Sequence, residues 1–463
     1  MSRKNSTTCR LLALAFGLPC FAPMAIAQEA PQIVRISPKP GSTDVDPAIR
    51  ELRVEFDRDM QIGSHSVCGG GDSFPKLRGD PVWEDARNFV LRVKLEPEHE
   101  YVMNLNCPSS KGFRSSQGVP LEMTPWQFTT RAASDTKKLS QKELNEKSLD
   151  ELLKALRDRY SYYDRKQIDW DRLVESHRKK ILASKSTKVW IKRVAGMLSV
   201  CEDPHLWIQY RDKTTATYQL NFMPNFNLKG VEAEIGALTR RNRFALTADL
   251  GGGIAYLLIL SWSGGDYLAQ GDLQMVLAEL RPSKGLILDV RPNGGGDESF
   301  ARNVASWFVE GEHTYSKCCY RDVSAKGGFG PMIDRKIVGN PEDRRIKCPV
   351  IILMGPNNMS SCESFLLMMK QAKGVTLVGG KSSGSSGNPK ALTLENDVTM
   401  FIPSWKDFMA DGGVLEGVGI KPDIVVRVKP NEIEKGDPII RRAIDLLKRK
   451  PPDNDSPRRR AAE

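Results

Sequence analysis

Two adjacent serines stand where an apolar run turns into a helical pattern. The stretch "PVIILMGPNNMSSCESFLLMMKQA" places Ser360 and Ser361 at the start of that pattern. The first N–H groups of a helix are unpaired and its dipole end is positive, so a negative charge that develops there is favoured. Serine is also common at this position because its hydroxyl caps the helix. The stretch alone therefore leaves two alternatives, helix capping and a nucleophile, and Ser361 is the rival to Ser360.

A glycine-rich turn follows another apolar run in "GLILDVRPNGGGDES". Glycines let the backbone approach a ligand closely, and a backbone N–H there could stabilise an oxyanion. We expect an oxyanion hole formed by the amide of Ser361 and by that of Gly294 or Gly295, and the sequence does not decide between the two glycines. The alternative is a plain strand-to-helix turn.

Strand and helix patterns alternate from about residue 200 to residue 447. The short apolar runs "GIAYLLIL", "GLILDV", "PVIILM" and "GVTLVG" are typical of buried strands. Helical patterns lie between them, which predicts a layered α/β core over residues 200–447. Ahead of it, residues 148–199 predict a small helical subdomain whose first helix begins at a capping box of Ser148 and Glu151.

Residues 31–131 have a different pattern. Segments such as "IRELRVEF" and "NFVLRVKL" alternate apolar and polar residues, and turn clusters separate them. This predicts an all-β sandwich. The stretch "ISPKPGSTDVDPAIRELRVEFDRDM" with "WQFTTR" resembles the bacterial Ig-like domain of the SbsA type, which implies a spacer or docking module without chemistry of its own. Residues 132–147 are interpreted as a linker.

The two ends of the chain are interpreted as accessory segments. Residues 1–27 have the layout of a signal peptide, with a basic start, an apolar stretch and Ala25-Ile26-Ala27 before the expected cleavage site. We therefore predict a periplasmic or secreted protein, and no later apolar run reaches membrane-spanning length. Residues 448–463 are predicted to form a disordered basic tail.

Charge and cysteine content exclude several classes of protein. The net charge is +11, of which three positive charges lie in the predicted signal peptide, and no stripe of basic and aromatic residues indicates nucleic-acid binding. Export permits disulfides, and Cys68 with Cys107 is a plausible pair. No cysteine or histidine spacing is typical of a metal site, and we expect neither a metal nor another cofactor.

Six blocks in order resemble the tail-specific (C-terminal processing) serine peptidase family. They are "YSYYDRKQIDWDRL", "LSVCEDPHLWI", "GLILDVRPNGGG", "NNMSSCESF", "TLVGGKSSGSSG" and "LEGVGIKPDI". The resemblance covers roughly residues 148–430 and implies a core of the ClpP/crotonase-like type. The family's nucleophile lies three residues before the glutamate of an S-x-x-E motif, which implies Ser360 with Glu363.

The sequence departs from the branch of the family that uses a Ser–Lys dyad. Ser385 stands at the position of the lysine, and Lys381 and Lys390 are out of register. A neutral serine cannot act as the base. The roughly forty residues between "DPHLWIQY" and "GIAYLLIL" are also too few for the usual PDZ domain.

A second branch, similar to the tricorn core protease, uses a histidine instead. The resemblance assigns the base to His205 in "CEDPHLWI" and the orienting carboxylate to Glu416 in "LEGVGIKPDI". A serine hydroxyl needs a base that takes its proton, and a carboxylate can fix the tautomer of a histidine. An alternative interpretation of the same block is that Cys201 and His205 form a Cys–His pair.

The combined prediction is an exported serine endopeptidase that acts on proteins or peptides through Ser360, His205 and Glu416. The main alternative is a non-catalytic peptide- or ligand-binding protein on the same fold, since fold does not fix function. An acyl-transfer enzyme acting on thioesters is a remoter alternative, because export would separate it from coenzyme A.

Overall fold

The computed structural model describes residues 29–61, 64–83, 85–132, 139–262 and 267–448. The predicted signal peptide, the centre of the predicted linker and the predicted basic tail beyond residue 448 lie outside the described residues. The chain forms two compact units, and the first runs to residue 134 without residues 78–80. Within the described ranges, no helix is both long and apolar enough to cross a membrane.

The first unit consists of two antiparallel sheets. One has the order β1-β2-β6-β4, with β5 also paired to β6, and the other has the order β3-β7-β8. Inward residues of both sheets, such as Phe89 and Trp126, form one core. A disulfide joins Cys68 to Cys107, so the predicted pairing is confirmed. The strands are β1 Ile33–Ser37, β2 Glu51–Phe56, β3 Val67–Cys68, β4 Lys76–Leu77, β5 Val82–Trp83, β6 Asn88–Lys94, β7 Glu100–Leu105 and β8 Thr124–Thr129.

The second unit contains helices and three further sheets. The helices are α1 Gln141–Arg159, α2 Trp170–Leu182, α3 Thr187–Leu198, α4 Leu228–Ile235, α5 Tyr267–Leu280, α6 Glu298–Ala305, α7 Ser361–Met369 and α8 Pro438–Lys448. The strands are β9 Trp207–Tyr210, β10 Lys213–Ala216, β11 Thr239–Arg240, β12 Ala245–Asp249, β13 Ile254–Ile259, β14 Gly285–Asp289, β15 Glu312–Tyr320, β16 Ile333–Val338, β17 Val350–Met354, β18 Val375–Gly379, β19 Lys390–Thr393, β20 Thr399–Ile402, β21 Trp405–Met409 and β22 Ile424–Val425.

The first helix begins earlier than the sequence predicted. Its capping box is formed by Ser140 and Glu143, so the helix start predicted at Ser148 is wrong, and so is the extension of the linker through residue 147. Ser148 is fully buried in the middle of α1, where its hydroxyl accepts the amide N–H of Asn396. The polar residues before Ser148 hid the helix, because its buried face includes Asn145, whose side-chain amide donates to the carbonyl oxygens of Leu182 and Ser184.

A seven-stranded sheet forms the centre of the second unit. Its order is β11-β12-β13-β14-β17-β18-β22, and the strands from β13 to β22 are parallel. Successive residues of β13 enter opposite cores: Leu257 packs with residues of α5, α6 and α7, and Leu258 packs with residues of α4 and α8. Both faces of the sheet are therefore covered, which explains the unbroken apolar runs of its strands.

The parallel strands bring three loops to one edge of the sheet. The loops 290–297, 355–360 and 380–389 follow the neighbouring strands β14, β17 and β18. The carboxyl ends of parallel strands share one edge, and this is where open α/β sheets bind ligands. Two smaller sheets, β10-β9-β20-β19 and β16-β15-β21, complete the unit, and the first of them shares a core with α1, α2 and α3.

Candidate active site

Ser360 occupies the N-cap of α7 in an unusual backbone conformation. Its φ is 55° and its ψ is −130°, and its side chain makes no capping hydrogen bond to the helix. A residue other than glycine in this region costs about 1–3 kcal/mol, and such residues concentrate at functional sites. Helix capping therefore does not account for the hydroxyl of Ser360.

The neighbouring Ser361 is tied to the glycine loop. Its hydroxyl donates to the carbonyl oxygen of Gly296 at 2.6 Å. Its amide belongs to the first turn of α7, where N–H groups have no partner within the helix. The second serine thus joins the loop after β17 to the loop after β14.

Gly295 packs directly against the nucleophile candidate. A Cβ atom at this position would lie 3.0 Å from the Cβ of Ser360 and 3.2 Å from the amide nitrogen of Ser361, and its φ is +105°. Only glycine fits both the contact and the conformation. Its amide donates to Oδ1 of Asn293 at 2.9 Å, while Gly294 is exposed at the surface of the loop.

Asn358 holds these loops together and was not singled out by the sequence. It is fully buried, and its side-chain amide donates to the carbonyl oxygens of Val290 and Asn293 at 2.6 and 3.0 Å. Its Oδ1 accepts the amide of Gly355 at 2.7 Å. The only sequence signal was its place in the Gly-Pro-Asn-Asn turn before Ser360.

A cavity of about 390 Å³ opens beside Ser360. Trp405 forms part of its wall, and its indole N–H donates to the hydroxyl of Ser386 at 3.2 Å. The lining also includes Glu298, whose carboxylate pairs with Arg335. The site is thus a cleft with polar and aromatic walls.

Glu363, in the first turn of α7, fixes the serine-rich loop after β18. Its carboxylate accepts the hydroxyl of Ser382 and the amides of Gly384 and Ser385, the two amides at 2.8 and 2.9 Å. Burial raises the pKa of Glu363 to about 8, against the opposing effect of these donors. The carbonyl oxygen of Ser385 in turn accepts the amide of Ser360 at 2.7 Å.

His205 lies in the loop before β9 and is only 6 % exposed. Its Nδ1 is 3.0 Å from the hydroxyl of Ser385. Its amide donates to Asp203, a buried carboxylate that also accepts the hydroxyl of Tyr160 at 2.9 Å. Burial lowers the pKa of His205 and outweighs the opposing charge of Asp203. Burial thus favours the neutral form of the imidazole, which is the form that a general base requires.

Glu416 lies in the loop between β21 and β22. Its Oε1 pairs with Arg165 at 2.6 Å, and its Oε2 accepts the amide of Ser386 at 2.8 Å. Burial is the main cause that raises the pKa of Glu416 to about 7, and the charge of Asp203 adds to it. Arg165 was another residue that the sequence did not indicate.

The loop from Ser382 to Gly387 connects the three residues of the predicted triad. The amide of Ser360 donates to the carbonyl oxygen of Ser385, and the imidazole of His205 contacts the hydroxyl of Ser385. The carboxylate of Glu416 accepts the amide of the following residue, Ser386. Among the described hydrogen bonds, none joins His205 directly to Ser360 or to Glu416. The three residues are thus brought to one loop, and the direct contact of the imidazole is with Ser385.

Comparison with known proteins identifies the region around this site. Residues 253–426 match the sequence model of peptidase family S41. The chain is 23% identical over 146 residues to the carboxy-terminal processing protease CtpA of Bacillus subtilis, which is 32% of this chain and 29% of that protein. It is 24% identical over 192 residues to the carboxy-terminal-processing protease of Bartonella bacilliformis, 40% of this chain and 41% of that protein. The matches span less than half the length of each relative.

Two solved structures share the fold. A putative peptidase from Parabacteroides merdae superposes with a TM-score of 0.57 at 24% identity, over 66% of this chain and 98% of that one. Mature CPAF superposes with a TM-score of 0.50 at 11% identity, over 66% of this chain and 97% of that one. Residues 253–426 therefore carry the sequence pattern of peptidase family S41, and about two thirds of the chain shares its fold with the putative peptidase of P. merdae.

Proposed function

We propose that this protein is a serine endopeptidase that hydrolyses peptide bonds through an acyl-enzyme on Ser360. The observation that carries the proposal is the conformation of Ser360. This residue has a positive φ at the N-terminus of α7, and its hydroxyl makes no capping hydrogen bond to the helix. Strain of this kind persists only where the surroundings enforce it. The match of residues 253–426 to peptidase family S41 supports the same reaction class.

In the proposed mechanism, Oγ of Ser360 attacks the carbonyl carbon of the scissile bond and its proton passes to Nε2 of His205. The imidazolium then gives this proton to the leaving amine, and the resulting acyl-enzyme is hydrolysed by water with His205 acting again as base and acid. Glu416, the carboxylate that the sequence assigned to orient the histidine, bonds the amide of Ser386 in the loop that contacts His205. A neutral imidazole, held so by burial, is ready to accept the proton at pH 7.

The oxyanion would be stabilised by two backbone amides. One is the amide of Ser361, at the positive end of the α7 dipole. For the second we favour Gly294 over Gly295, because the amide of Gly295 already donates to Asn293. Gly295 is then needed for its lack of a side chain, since a Cβ atom would press against Ser360.

The test uses hydrolysis of casein or of a quenched peptide by the purified protein, together with covalent labelling by a fluorophosphonate. Ser360→Ala should lower turnover by on the order of 10⁶-fold, the size seen when a serine triad loses its nucleophile, and should abolish labelling. Ser361→Ala is the matched control, because it keeps the backbone amide and loses only the bond to Gly296; it should keep most of the activity. Hydrolysis that survives Ser360→Ala at the wild-type rate overturns the proposal.

A second candidate is a non-catalytic peptide-binding protein. It is favoured by one observation: the imidazole of His205 contacts Ser385, and its contact with Ser360 is indirect. Under this alternative the cleft beside Trp405 holds a peptide without cleaving it, and the fluorophosphonate leaves Ser360 unmodified in the wild-type protein.

We further propose that residues 31–131 are an Ig-like module that acts as a spacer or docks to a surface. Their two antiparallel sheets around one core support this interpretation. If a cleavage site for a specific protease is inserted between residues 132 and 140, release of the module should leave hydrolysis of a short peptide unchanged. A loss of short-peptide activity would contradict a spacer role.

Export is part of the same proposal. The predicted signal peptide ends at residue 27, and the disulfide between Cys68 and Cys107 fits an oxidising compartment. N-terminal sequencing of the protein recovered from the periplasm or medium should begin at Gln28. Recovery of the uncleaved chain in the cytosol alone would refute export.

A further inference from the structure

The imidazole of His205 has a partner that the triad does not assign. Its Nδ1 lies 3.0 Å from the hydroxyl of Ser385, and both side chains are almost completely buried. The carboxylate expected to orient the histidine, that of Glu416, is instead bonded to Arg165 and to the amide of Ser386. The orienting contact in the structure therefore comes from a hydroxyl.

Ser385 is held in place by its own backbone. Its amide donates to Glu363 at 2.9 Å and its carbonyl oxygen accepts the amide of Ser360 at 2.7 Å. The next residue is fixed by Glu416. The adjoining Gly387 lets the loop approach the histidine, because a Cβ atom there would lie 3.2 Å from the Cβ of His205. The loop that carries the Ser385 hydroxyl is thus fixed by hydrogen bonds to Glu363, Ser360 and Glu416.

The contact has a chemical consequence. A neutral imidazole carries one proton, and the hydrogen bond made at one nitrogen decides which nitrogen holds it. When Nδ1–H donates to the hydroxyl of Ser385, the lone pair is on Nε2, which can accept the proton of Ser360. When the hydroxyl donates to Nδ1, Nε2 carries the proton and the histidine cannot act as base through that atom.

We propose that Ser385 is a positioning residue that holds His205 in the Nδ1–H tautomer, and that Glu416 acts on the histidine indirectly, by fixing the loop at Ser386. This inference rests on the proposed peptidase function. It replaces the direct carboxylate–imidazole contact of a triad with a neutral hydroxyl, and no proton leaves the Nδ1–Ser385 bond during the reaction.

The experiment combines kinetics with ¹⁵N NMR of the full chain labelled at its histidines. The sequence has five histidines, and the spectrum of His205→Gln identifies the signals of His205. In the wild-type protein we expect His205 to be protonated at Nδ1. In Ser385→Ala we expect a shift toward the Nε2–H form and a fall in kcat of on the order of 10²-fold, the lower end of what a general base contributes, with KM changed less than twofold.

Two further variants separate positioning from folding. Ser385→Thr keeps the hydroxyl and should restore most of kcat and the Nδ1–H signal. Ser383→Ala removes a hydroxyl of the same loop that makes no described hydrogen bond to His205, and it should match the wild-type protein in both measurements. An Nε2–H signal in the wild-type protein, or an unchanged kcat and tautomer in Ser385→Ala, overturns the inference.

The same design distinguishes failure of the inference from failure of the proposed function. If the wild-type protein neither hydrolyses peptides nor labels at Ser360, the peptidase proposal fails. The NMR comparison of wild type, Ser385→Ala and Ser385→Thr still decides whether Ser385 sets the tautomer of His205, and an unchanged tautomer in Ser385→Ala refutes that role without any activity measurement.

Discussion

The second unit contains buried clusters of charged residues, and two of them differ in how their charges are stabilised. The Arg291 cluster consists of Arg291, Asp289 and Asp437, all with fully buried side chains. The guanidinium reaches both carboxylates at 2.6–2.7 Å, and Asp289 also accepts the hydroxyl of Tyr256 at 2.8 Å. The attraction of the two carboxylates outweighs burial and raises the pKa of Arg291, so this environment favours the charged form.

The site cluster consists of Asp203, His205, Glu363 and Glu416. Burial is the largest cause of the shift in each, and every shift is toward the neutral form: the pKa is raised for the three carboxyl groups and lowered for His205. Arg165 pairs with Glu416 but is itself only half-buried. The charges of this cluster are less well compensated than those of the Arg291 cluster.

The contrast separates a structural cluster from a functional one. The Arg291 cluster joins the end of β14 to the start of α8 and gains nothing from changing its protonation. The site cluster has groups that titrate near neutrality, which is costly for stability but suits proton transfer. We therefore expect variants of the first cluster to change mainly stability and variants of the second to change mainly activity.

The largest effect is expected for His205→Gln. Loss of the base should lower turnover by on the order of 10⁶-fold, as for the histidine of other serine triads. The free energy of unfolding should change by less than about 1.5 kcal/mol, since one hydrogen bond to Ser385 is lost. Kinetics and urea unfolding of the same preparation measure the two effects, and a large loss of stability with preserved activity would reverse the comparison.

The pH profile of the wild-type protein tests the same residue. Catalysis requires the neutral imidazole, and the pKa of His205 is lowered from 6.5 by burial, with Asp203 opposing. The part of the fall in kcat/KM that belongs to His205 should therefore lie below about pH 6.5. For stability the sign is the same: the unfolded state binds the proton more tightly, so His205 destabilises the folded state as pH falls below its unfolded value. His205→Gln should remove this part of the acid sensitivity.

The second effect in size is expected for Arg291→Met. Removing the guanidinium leaves Asp289 and Asp437 buried without a cation, which costs about 3–5 kcal/mol when one partner of a buried pair is lost. Urea unfolding measures the change. The matched control is Lys336→Met, which breaks an exposed pair with Glu312 and should cost no more than about 1 kcal/mol. If the Arg291→Met protein is as stable as this control, the claim that the Arg291 cluster stabilises the fold is contradicted.

Local pattern was enough to predict much of the framework. The apolar run of "GLILDV" is found as β14 and that of "PVIILM" as β17. These features depend on neighbours in the chain, where alternation and flanking glycines carry the information.

Contacts between distant segments could not be predicted in the same way. His205 and Ser385 are 180 positions apart, and Arg291 and Asp437 are 146 positions apart. Nothing in either local sequence shows that the two segments meet. The start of α1 was missed for another reason. Ser140 and Ser148 are both followed by glutamate three positions later, and in the structure the first of them caps the helix, whose buried face includes Asn145.

The smallest effect is expected for the two lysines near the serine-rich loop. Lys381 and Lys390 are exposed, whereas a lysine that acts as base must be desolvated so that its pKa falls toward neutrality. Lys381→Ala and Lys390→Ala should leave kcat/KM within about twofold of the wild-type value, because surface substitutions away from a site change free energies by only about 0.5 kcal/mol. A fall of a hundredfold or more in either variant would assign proton transfer to a lysine. It would then remove His205 from the mechanism, and with it the functional half of the comparison.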